Sequence, residues 1–212
     1  MERVLILGNR ALAEEVWDLL SDMTDFEVTA FVENMDRARC AEKLEGLPIL
    51  WIDDIAPYAK THKAICALGT THRKRFIEQA AALGLQFATF VHPTARISTH
   101  SSIGEGTIIS SGVMVATRTE IGRHVFVNRG VLVGHHTHVG DYVSLMPGAN
   151  IAGKCRIGEA TYVGMGAIVV DGMTVGAHSV VGAGAVVTKD VPDNVQVVGV
   201  PARIVKENIP GR

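Results

Sequence analysis

The sequence predicts a small α/β domain followed by an all-β parallel β-helix, and three observations carry that expectation. From Val91 to Val187 every sixth residue is Ile, Val or Leu, seventeen positions in succession without a gap or insertion. The residue after each is usually small, as in Ile103-Gly104, Ile121-Gly122, Val133-Gly134, Val139-Gly140, Ile157-Gly158 and Val181-Gly182. Ahead of this run, short apolar stretches alternate with helical patterns.

The first ninety residues read as a βαβ arrangement. Val4-Leu5-Ile6-Leu7 is the opening strand, followed by a helix from about Ala11 to Leu20. Phe26 to Val32 is the second strand, Pro48 to Trp51 a short third and Ala64 to Leu68 a fourth. Thr70 to Leu83 then forms a helix leading into a strand over Phe87 to Val91. The result is a small doubly wound, Rossmann-like sheet. Gly8-Asn9-Arg10 opens the first helix and is a candidate ligand loop, because a helix N-terminus offers free backbone N–H groups to a phosphate. A plain strand-to-helix turn explains its single glycine as well. The basic stretch Thr70 to Arg75 opens the second helix and reads either as a phosphate contact or as a solvated helix face.

Six is a multiple of the strand period of two and a poor multiple of 3.6, so the hexad positions fit short strands folded at regular turns. A small residue after each one permits a tight corner. Three hexads close one triangular coil, so seventeen make between five and six coils. Val113, Val125, Val131, Val143 and Met173 lie two before the inward position and share its side. Ile108, Met114, Phe126 and Leu132 face outward and call for a partner surface, which three-fold packing would supply. A solenoid serving only as a rigid spacer is the alternative.

At 212 residues the chain buries on the order of 70% of its unfolded surface, enough to fold without staples. A net charge of −2 indicates neither a nucleic-acid groove nor a polybasic membrane patch. Cys40, Cys66 and Cys155 are too few and scattered for a disulfide frame. No stretch reaches about 18 apolar residues, and Met1 to Gly8 form a strand rather than a signal segment, so a cytoplasmic protein without membrane insertion is expected.

The chain as a whole resembles the bacterial hexapeptide-repeat acyltransferases, in the group of sialic acid O-acetyltransferases and UDP-4-amino-sugar N-acetyltransferases. The residues that carry the resemblance are Val4 to Gly8, the junction Phe90-Val91-His92-Pro93-Thr94-Ala95, the segment Val133-Gly134-His135-His136-Thr137-His138-Val139-Gly140-Asp141, the ending Val181-Gly182-Ala183-Gly184-Ala185-Val186-Val187-Thr188-Lys189-Asp190-Val191-Pro192, and Gly199-Val200-Pro201-Ala202-Arg203. The resemblance implies a left-handed prism and a homotrimer, with acetyl-CoA between neighbouring prisms and a nucleotide-sugar on the N-terminal domain. It divides the chain into residues 1–90, an acceptor-binding α/β domain, residues 91–205, the acetyltransferase β-helix, and a tail over 206–212. The activity implied is acetyl transfer to the amino group of a nucleotide-linked amino-sugar for a surface glycan, without a metal. Sugar O-acetylation and a non-catalytic trimeric scaffold are the alternatives.

Acyl transfer from a thioester needs a base for the attacking group and a donor aimed at the oxyanion. His135 coincides with the family's catalytic histidine and stands at a corner of the coil. The family places an acidic residue directly after that histidine, where this chain has His136, so Asp141 or a backbone carbonyl is the candidate to orient His135. Stacked coils put equivalent corners side by side, so the backbone N–H of Gly153, eighteen residues on, is the expected oxyanion donor. Asn128 is a candidate to touch the acceptor or orient His135, and His136 is a candidate to touch the acceptor. Ser144 stands where the family has a second histidine, and Leu12 replaces a loop histidine. Gly8, Asn9, Arg10 and Glu33 are the remaining acceptor-binding candidates. Ala152, Gly153, Gly164, Met165, Ala183 and Gly184 would line the pantetheine arm, with Lys189 and Arg203 near the phosphates.

Overall fold

The computed structural model describes all 212 residues. The chain forms two compact units, one of Met1–Gly69 with Arg73–Thr89, the other of Phe90–Arg212 with the short segment Thr70–His72.

The first unit is built on β1 (Glu2–Leu7), α1 (Ala11–Ser21), β2 (Phe26–Glu33), β3 (Lys43–Leu44), β4 (Leu47–Trp51), β5 (Lys63–Cys66), α2 (Arg73–Ala82) and β6 (Gln86–Phe87). The sheet order is β3-β4-β2-β1-β5-β6, and all neighbours are parallel except the β3–β4 hairpin. Val4 to Leu7 are wholly buried, as a central parallel strand covered on both faces requires. The chain winds outward from β1 through β2 to β4, then returns to the other side of β1 for β5. That reversal puts the topological switch point, where open α/β sheets bind ligands, at the carboxyl ends of β1 and β5. α1 buries Ala13, Val16 and Leu20, one stripe at helical spacing.

Three details of this unit differ from the sequence expectation. The third strand begins at Leu47 and pairs with β3 through Glu45-Gly46, both at positive φ (48° and 77°), as a tight two-residue hairpin turn demands. α2 begins at Arg73, not Thr70, and Thr70–His72 belong to the second unit. The expected strand over Phe87 to Val91 is two strands: Gln86–Phe87 edges the first sheet, and Phe90–Val91 begins the coils.

The second unit is a three-sided stack of parallel two-residue strands. Face one runs from Phe90–Val91 to Gln196–Val198 in seven strands, closed by the antiparallel strand Arg203–Lys206. Face two has six strands, Arg96–Ile97 to Val186–Val187, and face three has five, Ser102–Ile103 to Thr174–Val175. Equivalent residues pair at a spacing of eighteen, as in Val115↔Val133, Val133↔Ile151 and Ile151↔Val169. The hexad residues from Ile109 onward are buried and form one core with Val113, Val125, Val131 and Val143.

The glycines that follow the inward residues serve a purpose other than turning. The left-handed residue of the corners lies two positions later, as in Arg118, His136, Lys154 and His178 with φ between 55° and 60°. Gly122, Gly134 and Gly158 do not have positive φ; a Cβ on any of them would come within 2.4–2.8 Å of atoms in the next coil, mostly its backbone. Close stacking of coils is what excludes a side chain there. Buried hydroxyls tie these stacks together: Thr119 donates to the Gly134 carbonyl (2.8 Å) and Thr137 to the Ala152 carbonyl (3.0 Å).

The outward apolar residues divide into two groups. Ile108 and Phe126 on face one are buried within the single chain, so they need no second copy, contrary to the expectation. Met114 (45% exposed), Leu132 (40%) and Ile168 (40%) are open apolar residues in one column of face two, with Asn150 between the last two. No helix is long and apolar enough to cross a membrane. All three cysteines are free, and burial pushes the Cys66 thiol up to about 12.

Candidate active site

The edge that joins face two to face three carries the strongest constellation. Val133 points inward, Gly134 lets the next coil approach, and His135 and His136 project from the corner. The next coil repeats the corner as Ile151-Ala152-Gly153-Lys154. His135 lies against Gly153: a Cβ there would stand 2.7 Å from His135 Cε1 and 2.8 Å from Nε2. Gly153 has no positive φ, so it is glycine for room, and the room is taken by the imidazole.

The backbone hydrogen bonds at this corner leave one donor open. The Ala152 N–H donates to Val169 O (2.9 Å) and the Lys154 N–H to His135 O (2.7 Å). The Gly153 N–H between them makes no hydrogen bond within the chain. A polarised carbonyl placed there would meet an amide whose direction is fixed by its bonded neighbours. Thr137 holds this corner from below, accepting the Cys155 N–H (3.3 Å) while donating to Ala152 O. Its role was not foreseen, although its position two before an inward residue marks it as core-facing.

His135 Nδ1 and His136 Nδ1 are 3.1 Å apart, with the rings edge to face at 5.2 Å. Both side chains are exposed in the single chain. Asp141 is not the orienting group. It sits on the next edge, where it accepts from the Arg123 backbone N–H (2.7 Å) and from its guanidinium (2.8 and 3.1 Å). Partial burial works to raise its pKa, but these bonds and the Arg123 charge outweigh that and hold it below the usual carboxylate value. Asn128 does not orient His135 within the chain either. It lies buried on the edge between faces one and two, where its Oδ1 accepts the Arg129 N–H (2.7 Å).

The cofactor candidates also divide between edges. Ala152 and Gly153 are beside His135, whereas Gly164, Met165, Ala183 and Gly184 stack on the edge before face two. Lys189, in the last coil, and Arg203, in the closing antiparallel strand, are exposed. One edge of one prism therefore does not carry the whole path. Between the two edges, the outer surface of face two holds a groove of about 730 Å³ lined by Arg96, Met114, Leu132, Asn150, Gly134 and Ala152 among others. Ser144 is fully buried on face one.

In the first unit, Gly8, Asn9 and Arg10 link β1 to α1, beside the end of β2, where Glu33 sits. Gly8 has φ 119° and its N–H donates to Val32 O. Glu33 Oε1 accepts the Asn34 and Met35 N–H groups, both at 2.7 Å. Burial raises the Glu33 pKa, yet those N–H groups and the Asn9 amide prevail and hold it low. Asn9 Nδ2 is buried against this carboxylate without completing a well-formed hydrogen bond. Arg10 is exposed, and Arg39 supplies an unforeseen cation here through its contact with Asn9 O (3.3 Å).

Comparison with solved structures gives extensive likenesses, among them the following three. A mutant of perosamine N-acetyltransferase from Caulobacter crescentus, in complex with CoA and GDP-perosamine, is 30% identical over 98% of both chains with a TM-score of 0.89. The acetyltransferase domain of PglB from Neisseria gonorrhoeae is 27% identical over 97% of this chain and 100% of that one, with a TM-score of 0.88. WeeI from Acinetobacter baumannii is 27% identical over the same shares, with a TM-score of 0.87. The chain belongs to the hexapeptide-repeat, left-handed β-helix acyltransferases. It is therefore an enzyme of the acyltransferase class, in the group expected from its sequence motifs. No family model matches the chain, and no curated protein does.

Proposed function

We propose that this acyltransferase moves the acetyl group of acetyl-CoA to the amino group of a nucleotide-linked amino sugar, with His135 as general base and the Gly153 N–H as oxyanion donor. The observation that carries this reading is the His135 ring resting on Gly153, whose N–H is open. The structures of its relatives were solved with CoA and GDP-perosamine, or with acetyl coenzyme A.

The amine nitrogen attacks the thioester carbonyl and gives its proton to His135 Nε2. The C–N bond forms, and the oxyanion accepts from Gly153. When the intermediate collapses the C–S bond breaks, and the thiolate takes the proton from His135. The attack is direct, in a ternary complex. Proton and oxyanion both have protein partners, so the step calls for neither a covalent acyl-enzyme nor a metal.

The exposed apolar residues of face two and the split cofactor path support a homotrimer, in which the edge before face two of one copy completes the groove beside His135 of the next. Leu132→Asp places a charge in that seam and is expected to convert trimer to monomer by analytical ultracentrifugation and to abolish turnover. In this reading the Rossmann-like unit binds the nucleotide end of the acceptor at Gly8, Asn9, Arg10 and Glu33, Asn128 meets its sugar across the seam, and Lys189 and Arg203 meet the CoA phosphates. The free thiols fit action in the cytoplasm, in the synthesis of a surface glycan.

Release of CoA thiol, followed with a panel of GDP- and UDP-linked amino sugars, tests the proposal. Turnover with a nucleotide amino sugar and none with its hydroxyl counterpart is expected. Equal turnover with the hydroxyl counterpart would establish O-acetylation, and no turnover with any acceptor would favour the scaffold.

A further inference from the structure

We propose that His136 is the positioning residue for His135, an imidazole standing where the family's acidic residue is expected, and that it selects the tautomer in which His135 can act. The inference rests on the reading of His135 as the base. The two Nδ1 atoms are 3.1 Å apart, a hydrogen-bond distance that needs one proton between two nitrogens. Two arrangements satisfy it. In the first, His135 carries the proton on Nδ1 and donates to His136, leaving Nε2 with a free lone pair. In the second, His136 donates, and His135 carries its own proton on Nε2.

Only the first arrangement can accept the proton of an attacking amine. Of the two ring nitrogens, Nε2 also stands the nearer to a Cβ position on Gly153, at 2.8 Å against 3.1 Å for Nδ1. Once Nε2 has taken the proton, both ring nitrogens of His135 are donors, and Nδ1–H keeps its bond to His136 without any rearrangement. Asp141 is committed to Arg123 on another edge, and within the chain the His135 ring bonds to no carboxylate. The backbone strengthens the assignment: His136 sits at φ 57°, with its N–H bonded to Thr117 O (3.0 Å), which fixes the direction in which its side chain leaves the corner. A neutral acceptor stabilises the resulting cation less than a carboxylate does, so the dyad serves mainly to orient the ring.

The left-handed backbone at residue 136 guides the test. Gly and Asp tolerate that conformation, so His136→Gly removes the acceptor, and His136→Asp replaces it with a carboxylate, both with little strain. Long-range nitrogen–proton NMR on histidine-labelled protein reads the tautomer directly. His135 is expected as the Nδ1–H form in the wild type, as the Nε2–H form in His136→Gly, and again as Nδ1–H in His136→Asp. In parallel, kcat is expected to fall about tenfold in His136→Gly with KM little changed, and to recover in His136→Asp.

Finding His135 as Nε2–H in the wild type, or finding its tautomer unchanged by His136→Gly, would overturn the inference. His135→Ala separates it from the reading it rests on. Full kcat in His135→Ala would remove His135 as base while the tautomer assignment still stood on its own spectrum.

Discussion

Corners on two edges of the same prism, built on one hexad pattern, treat their amides in opposite ways. On the edge after face three, a carboxylate from a later coil closes the amide beneath it: Asp141 on the Arg123 N–H and Asp193 on the Ala177 N–H, each at 2.7 Å. On the edge after face two, His135 lies across Gly153 and the Gly153 amide stays open. Asp171, one coil further on, makes no such bond. The repeat thus supplies the same backbone everywhere, and chemistry arises where a corner combines a base with an unclosed donor. The same contrast holds between histidines. His124, on the closed edge, packs over Gly106 and stacks on Tyr142 with rings 5.3 Å apart, whereas His135 keeps an exposed ring.

The comparison is broken most directly at His135. His135→Ala is expected to lower kcat by about 10²–10⁴-fold with the fold intact, while Arg123→Ala on the closed edge leaves kcat unchanged. Similar losses in both variants would erase the distinction between the edges. Gly153→Ala follows: the added methyl displaces the imidazole from its resting place, and a loss of about 10²-fold in kcat/KM is expected, with circular dichroism unchanged. An active Gly153→Ala enzyme would show that the ring need not lie there.

Two smaller effects concern what holds each edge. Thr137→Val keeps the shape but strands the Ala152 carbonyl and the Cys155 N–H, at a cost of about 1–3 kcal/mol in urea unfolding. On the closed edge, Asp141→Asn is expected to cost below about 1 kcal/mol, because Arg123 is largely exposed to solvent. The folded Asp141 pKa is lowered, so its stabilisation is fully present above the unfolded carboxylate value of about 4 and is lost as pH falls through the folded value. Thermal melts of wild type and Asp141→Asn should converge below that window; a constant gap down to pH 2 would contradict the ion pair.

Much of this edge was legible in the sequence, because a period of six and a coil of eighteen place His135 beside Gly153 by arithmetic alone. The closure of the Arg123 amide by Asp141 is equally periodic, eighteen residues apart, but on an edge that does not carry His135. The pattern also showed which residues face outward without showing what the rest of the chain covers, so Ile108 and Phe126 looked open and Met114 and Leu132 truly are. In the first unit, Phe87 to Val91 reads as one apolar run although its two ends join different sheets. Residue types record burial, and only pairing partners reveal that break. The glycines after each inward residue were found correctly and explained wrongly, because composition does not distinguish a need for space from a need for positive φ.

Fixed coil spacing has a consequence for change over time. Base and donor are separated by one rung of the stack, about 4.8 Å, which no loop sets. Substitutions at the corner can therefore alter acceptor or rate while the gap between the reacting groups holds steady. A single inserted or deleted residue between 135 and 153 shifts every later side chain off its column. This scaffold tolerates new letters and rejects new lengths.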